Sequence, residues 1–238
     1  LGDGLRAIFQ LEQGFDLGTG NGSSSRQFHR QAFVGLSSDN WGTFTMGRQY
    51  SAGVMVGDLA ANGWNLGDMD KVFGGVGYAN RIDNSFKYVT PDFAGFKLIA
   101  LYGSEGNDAI DRVDGKGFAA VKSIWDGTKL TDAEPGSRER TSRVSVGLTY
   151  ANGPISAGAS YDRSGQTENE NAITSWNVNA AYDFEVVKLS LAYGQDRHGK
   201  LGWGSGVDGL NDALDVAYAD LKSNNYHVGL SAPIGGGT

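Results

Sequence analysis

The sequence predicts an all-β chain whose strands form an antiparallel transmembrane β-barrel, with the connection after the third strand folded inward. Three observations lead there. Segments of alternating polar and apolar residues recur about ten times along the chain, the period-2 signature of strands with one apolar face. The connections alternate between tight turns and long polar stretches, as in membrane barrels with short turns on one side and long loops on the other. Tyr and Trp stand at the ends of the apolar faces: Tyr88, Tyr102, Tyr150, Tyr161, Trp176, Tyr182, Tyr193 and Tyr226. Such positions match the aromatic belts at the two membrane interfaces. A soluble sandwich would alternate too, but its loops need not sort by length.

Taken in order, Leu5, Ala7, Phe9 and Leu11 oppose Arg6, Gln10 and Glu12, a strand with one polar face. Residues 16–26 read as a Gly/Ser/Asn loop. In the next strand, 28–37, Ala32, Val34 and Leu36 share a side, and Arg30 falls with them unless a bulge shifts the register. A tight turn at 38–42 leads into the strand 43–50. Residues 51–80 are a glycine-rich insertion carrying Asp58, Asp68 and Asp70 among Val54, Met55, Trp64 and Phe73. A connection this long is uncommon in a compact domain and usually functional. Taken alone it reads as an ordinary surface loop or disordered linker; its place in the strand pattern reverses that and makes it a segment folded into the bore.

Residues 81–90 resume the alternation, with Arg81, Asp83, Ser85 and Lys87 on the polar side and Ile82, Asn84, Phe86 and Tyr88 on the other. A turn at 91–95, a strand at 96–103 and a polar loop at 104–141 follow. The cleanest strand is 143–150: Val144, Val146, Leu148 and Tyr150 outward, Arg143, Ser145, Gly147 and Thr149 inward. A turn at 151–154 precedes the strand 155–162, and a loop at 163–172 precedes the strand 176–182. A further strand, 187–193, a loop at 195–223 and a last strand, 226–232, complete the pattern. The chain is read as a single domain, 1–238.

Composition agrees. Hydrophobic residues are 39%, below the average of about 45–50%. No stretch of about 18 apolar residues marks a spanning helix, and a barrel needs none because its strands alternate. Cysteine is absent, which removes disulfides, thiolate nucleophiles and cysteine metal sites. A net charge of −7 argues against a nucleic-acid partner.

The chain resembles the general porins of Gram-negative bacteria, of the type found in Neisseria, Bordetella, Burkholderia and Comamonas. The resemblance is carried by Gly4-Leu5-Arg6-Ala7-Ile8-Phe9-Gln10-Leu11-Glu12, Arg30-Gln31-Ala32-Phe33-Val34-Gly35-Leu36 and Gly47-Arg48-Gln49. It continues in Asn84-Ser85-Phe86-Lys87-Tyr88, Thr90-Pro91-Asp92-Phe93-Ala94-Gly95-Phe96, Tyr182-Asp183-Phe184 and Gly229-Leu230-Ser231-Ala232-Pro233-Ile234-Gly235-Gly236. It implies a sixteen-stranded homotrimeric barrel in the bacterial outer membrane, about two strands preceding Leu1 and about four following Thr238. It also implies a bore narrowed by the third loop and passive diffusion of small hydrophilic solutes. A barrel that only displays its loops for binding, or an outer-membrane enzyme, are the rival readings.

The candidate pore residues are the charges facing the bore. Arg6, Arg81 and Lys87 lie on polar strand faces. Arg30 and Arg81 match positions that, in related porins, form a basic cluster opposite the third loop. Glu12, Asp58, Asp68 and Asp70 are the acidic counterparts, and Arg48 is a weaker candidate. Opposed charges across a narrow bore set up a transverse field; with a third arginine of the cluster, which the resemblance implies before Leu1, the wall is predominantly basic and a preference for small anions is expected. No HExxH, GxSxG or P-loop spacing is present, and His29, His198 and His227 have no catalytic arrangement, so no enzyme and no cofactor is predicted. Asp108, Asp111 and Asp114 are spaced wrongly for a calcium loop, so no metal site is assigned. Outer-membrane lipid and lipopolysaccharide are the expected surroundings, with acidic loops able to reach lipopolysaccharide through divalent ions.

Overall fold

The computed structural model describes residues 2, 4–22, 27–57, 81–106, 140–165, 172–199 and 221–233. Its strands are β1 (Arg6–Leu11), β2 (Ala32–Ser38), β3 (Gly42–Tyr50), β4 (Arg81–Val89), β5 (Phe96–Gly106), β6 (Arg140–Asn152), β7 (Ile155–Ser164), β8 (Ile173–Asp183), β9 (Lys188–Gly199) and β10 (Leu221–Ser231). A short helix, α1 (Ala52–Gly57), follows β3. The strands form one antiparallel sheet in sequence order, β1 at one edge and β10 at the other. This is a length of β-barrel wall built by a meander.

Burial in this wall is inverted relative to a soluble sheet. On β6, Val144, Val146 and Leu148 are exposed while Arg143, Ser145 and Gly147 are buried, Ser145 completely. On β8, Ser175, Asn177 and Asn179 are buried while Val178 and Tyr182 are exposed. Phe9 is 74% exposed and Val228 72%. A continuous apolar face of this size marks a membrane surface, and lipid is the solvent that covers it.

The aromatic residues separate into two groups along the strands. At the short-turn end, Phe96 meets Tyr150 and Tyr182 meets Phe184, each with centroids 4.5 Å apart, and the Tyr88 hydroxyl donates to the Trp41 carbonyl. Toward the other end, Trp176 lies 5.3 Å from Tyr193, and Tyr193 4.9 Å from Tyr226. These are the two girdles expected at the membrane interfaces.

α1 shows where the long insertion goes. Its buried Ala52, Val54 and Val56 pack on the polar face of β6, β7 and β8, so that face is the inner one. The Ala52 amide donates to Ser145 Oγ at 2.7 Å, and Asn179 Nδ2 donates to the Val56 carbonyl at 2.7 Å. Both bonds satisfy backbone groups left over at the ends of a short helix. Gly147 makes the approach feasible: a Cβ there would sit 2.9 Å from Val56 Cγ2 and 3.0 Å from Ala52 Cβ. The connection therefore enters the barrel at its first residues.

The strands run further than the alternation suggested. β5 reaches Gly106, β6 begins at Arg140, β9 reaches Gly199 and β10 begins at Leu221. The intervening long connections are accordingly shorter than the expected 104–141 and 195–223. Beyond the girdle the outer face carries polar residues too, so the apolar alternation disappears while the backbone ladder continues. β2 is shorter than expected, starting at Ala32, because Phe28 takes φ 48° and the chain bends before it. In β4, Asp83 and Asn84 together oppose one residue of β3, with Asn84 at φ 45°. That bulge turns Ile82 from the outer face into the wall, where it lies over Gly103.

Candidate pore constriction

Five residues gather on the inner wall where β3 ends and the chain turns inward. Glu12 continues the Ile8 and Gln10 side of β1, away from the exposed Phe9 and Leu11, and Gln10 lies within hydrogen-bonding reach of it. The Glu12 amide donates to the Gln31 carbonyl at 2.8 Å, and the Arg30 amide donates to the Glu12 carbonyl at 3.3 Å. Two residues of one strand thus oppose one of the other, as in a β-bulge. The bulge rotates Arg30 off the Ala32 and Val34 side, and its Nε donates to the Glu12 carboxylate. The parity conflict read from the sequence is settled by this one extra residue.

Tyr50 is the hub. Its hydroxyl oxygen accepts from Arg30 Nη2 at 3.2 Å and from Arg81 Nη2 at 2.6 Å. The Arg81 guanidinium also lies over the Tyr50 ring, 4.6 Å from its centroid, a cation–π arrangement. Lys87, buried on β4, donates to the Tyr50 carbonyl at 3.3 Å, its ammonium 5.9 Å from the Phe33 ring. Three cations, Arg30, Arg81 and Lys87, thus surround Tyr50 with one carboxylate, Glu12.

The structure does not bring Arg6 to this group. Arg6 pairs with Asp39 of the β2–β3 turn, both side chains exposed. Six residues of extended strand, roughly 20 Å, separate Arg6 from Glu12. Arg48 pairs with Asp83 at 2.6 Å and donates to the His29 carbonyl at 2.8 Å. Asp58, Asp68 and Asp70 lie outside the described residues.

Residues that the sequence reading passed over line the wall of β6 to β10. Ser145, Asp162, Ser175, Asp196 and Ser223 are successive cross-strand partners in one inward row. Asp196 is 1% exposed and accepts from Ser175, from Ser223 at 2.8 Å and from Asn225 at 3.0 Å. Asp162 faces the hydroxyls of Ser145 and Ser51 beneath the start of α1. Asp196 escapes a reading of the sequence because the apolar alternation of its strand ends at Tyr193. Tyr50 was hidden because a terminal strand tyrosine resembles a girdle residue.

Comparison with known proteins places this architecture. The model of the Gram-negative porin family matches residues 1–238. An outer membrane porin protein of Bordetella pertussis is 36% identical over 99% of this chain and 62% of its own length. Outer membrane porin protein 32 of Delftia acidovorans is 26% identical over 99% of this chain and 58% of its own. The solved structure of an anion-selective porin from Comamonas acidovorans superposes with a TM-score of 0.64 at 24% identity, covering 99% of this chain and 62% of that one. The chain thus spans about three fifths of these relatives. Its inverted wall, paired aromatic girdles and inward-turning third connection have their explanation in this kinship: the chain belongs to the Gram-negative porin family of outer-membrane β-barrels.

Proposed function

We propose that the protein forms a water-filled channel in the outer membrane through which small hydrophilic solutes diffuse passively, with a preference for small anions. The observation that carries this reading is the group around Tyr50, three cations against a single carboxylate on the inner wall. Low-dielectric walls strengthen the field of such a group. The net charge of −7 describes the whole chain, and exposed charges at the rims are screened beyond about 8–10 Å at physiological salt. Asp58, Asp68 and Asp70 are proposed to face this group from the inward connection, which makes the field transverse. Solutes must leave as readily as they enter, so no tight site is called for and no catalysis is proposed.

In this reading the long connections face outside and the short turns face the periplasm. The assembly is a homotrimer meeting through the outer faces of β1 and β2, with Phe9, Leu11, Val34 and Leu36 in the contact, while lipid covers β6 to β10. The test is the reversal potential across a planar bilayer in a salt gradient, for the intact channel and for Arg81→Ser. The expected outcome is anion preference that weakens markedly in the variant. A channel that inserts without passing current overturns the channel reading. Cation preference in the parent overturns the anion reading, and an unchanged ratio in Arg81→Ser removes Arg81 from the constriction.

A further inference from the structure

The outer face of the wall carries one row of basic residues where it meets the second aromatic girdle. Arg163 of β7 pairs with Thr174 of β8, and Thr174 pairs with Arg197 of β9. Lys222 of β10 stands opposite the bulge at Arg197 and His198, between the pairs Leu221–Gly199 and Ser223–Asp196. Asp162, Asp196 and Ser223 point into the wall, so Arg163, Arg197 and Lys222 point out, and all three are exposed. Arg163 and Arg197 are about 10 Å apart at Cα, two strand spacings. Arg197 is steadied by Gln195 Oε1, which accepts from its Nε at 2.7 Å. None of the three forms an ion pair with a carboxylate among the described residues.

The position of the row gives it meaning. Directly below it on the same face lie Tyr161, Trp176, Gln195 and Asn224, themselves consecutive cross-strand partners. Tyr193 and Tyr226 form the next row below, with Val178 as a cross-strand partner of Tyr193, and the exposed apolar pair Leu191 and Val228 lies below them. Aromatic residues mark the depth of the interface. Cations one residue pair beyond them stand at the level of lipid headgroups, at the long-connection end of the strands. Two guanidiniums and an ammonium there match phosphate, which arginine grips with a two-pronged fork.

We propose that Arg163, Arg197 and Lys222 form a binding site for the phosphate groups of a phosphorylated glycolipid of the outer leaflet. The contact is direct and needs no bridging divalent ion. This rests on the proposed orientation, long connections outward, but not on solute selectivity. The girdle supplies the apolar floor for the acyl chains, and the basic row holds the headgroup. The site thereby fixes the depth of β7 to β10 in the membrane and commits this part of the wall to lipid rather than to a neighbouring protomer.

The test measures binding of bisphosphorylated lipid A, and of the same lipid stripped of its phosphates, to the detergent-folded intact porin in EDTA by native mass measurement. The parent is expected to retain the phosphorylated lipid selectively. Arg163→Gln/Arg197→Gln/Lys222→Gln is expected to bind it about a hundredfold more weakly, roughly fivefold per cation. Single-channel conductance of the triple variant should equal that of the parent, because these side chains face away from the bore; this confirms folding. The single variant Arg197→Lys keeps the charge but loses the fork, and a severalfold loss is expected there even if the triple variant fails to fold. Equal binding of both lipids by the parent, or full binding by the variants, overturns the proposal. So does a triple variant whose oligomeric mass falls, since the row would then be a protein contact. A parent that binds the lipid but carries no current leaves the lipid site standing and defeats the channel reading.

Discussion

At the scale of single residues, two positions decide how α1 sits on the inner wall. Gly147 leaves room for α1, and Asn179 holds the last carbonyls of that helix through Val56. A β-branched side chain at 147 would meet Val56 and Ala52 inside ordinary van der Waals distance, so α1 has to lift off the wall. Gly147→Val is therefore expected to destabilise the folded barrel by about 1–3 kcal/mol through overpacking. Asn179→Leu leaves the buried Val56 carbonyl without its donor, at a cost of about 1–3 kcal/mol. Both variants should give noisier channels of altered single-channel conductance in planar bilayers. Conductance and noise identical to the parent in both would mean that α1 does not position the connection. The same scale explains Arg30. Its side was undecidable from alternation, and one extra residue opposite Glu12 decides it.

At the scale of elements, each strand is specified by what touches its two faces rather than by a common core. β6 is the clearest case, with Val144, Val146 and Leu148 toward lipid and Ser145 and Gly147 toward α1. The two faces should respond differently to charge. Leu148→Arg places a guanidinium in the apolar band and is expected to reduce stability by about 2–4 kcal/mol. Urea titration of folding into phosphatidylcholine vesicles measures it. A loss below about 1 kcal/mol would move β6 out of the hydrocarbon. The strand ends follow the same logic. Beyond the girdle the outer face is polar as well, and Asp196, Ser223 and Asn225 hold the β9–β10 ladder by polar bonds on the inner side.

At the scale of the whole molecule, the sheet order β1 to β10 means that every connection joins adjacent strands, so connection lengths sort cleanly to two ends. The turns between β2 and β3, β4 and β5, β6 and β7, and β8 and β9 lie at one end. The connections 107–139, 165–172 and 200–220 leave from the other. Protease added to intact cells is expected to cut within 107–139 or 200–220 and to spare 91–95 and 151–154. Cleavage at the short turns on intact cells would reverse the orientation, and with it the leaflet assigned to Arg163, Arg197 and Lys222.

The sequence by itself determined the class of the fold and most of its strands. A wall one residue thick exposes each side chain to lipid or bore, so period-2 alternation is written directly into residues such as Val144 to Thr149. The inward course of the connection after Tyr50 was legible only from its place in the strand pattern, not from its length, since the connection 107–139 is longer. What the sequence could not determine lies where alternation breaks. The bulges at Arg30 and at Asp83–Asn84 insert residues that no hydrophobic pattern records, yet they decide which charges meet at Tyr50. Arg6 satisfied the alternation and still stands at the turn beside Asp39, because alternation assigns a face and says nothing of height along the strand. The buried row from Ser145 to Ser223 depends on the registers of five strands, and register is fixed by cross-strand packing, which only the tertiary structure carries.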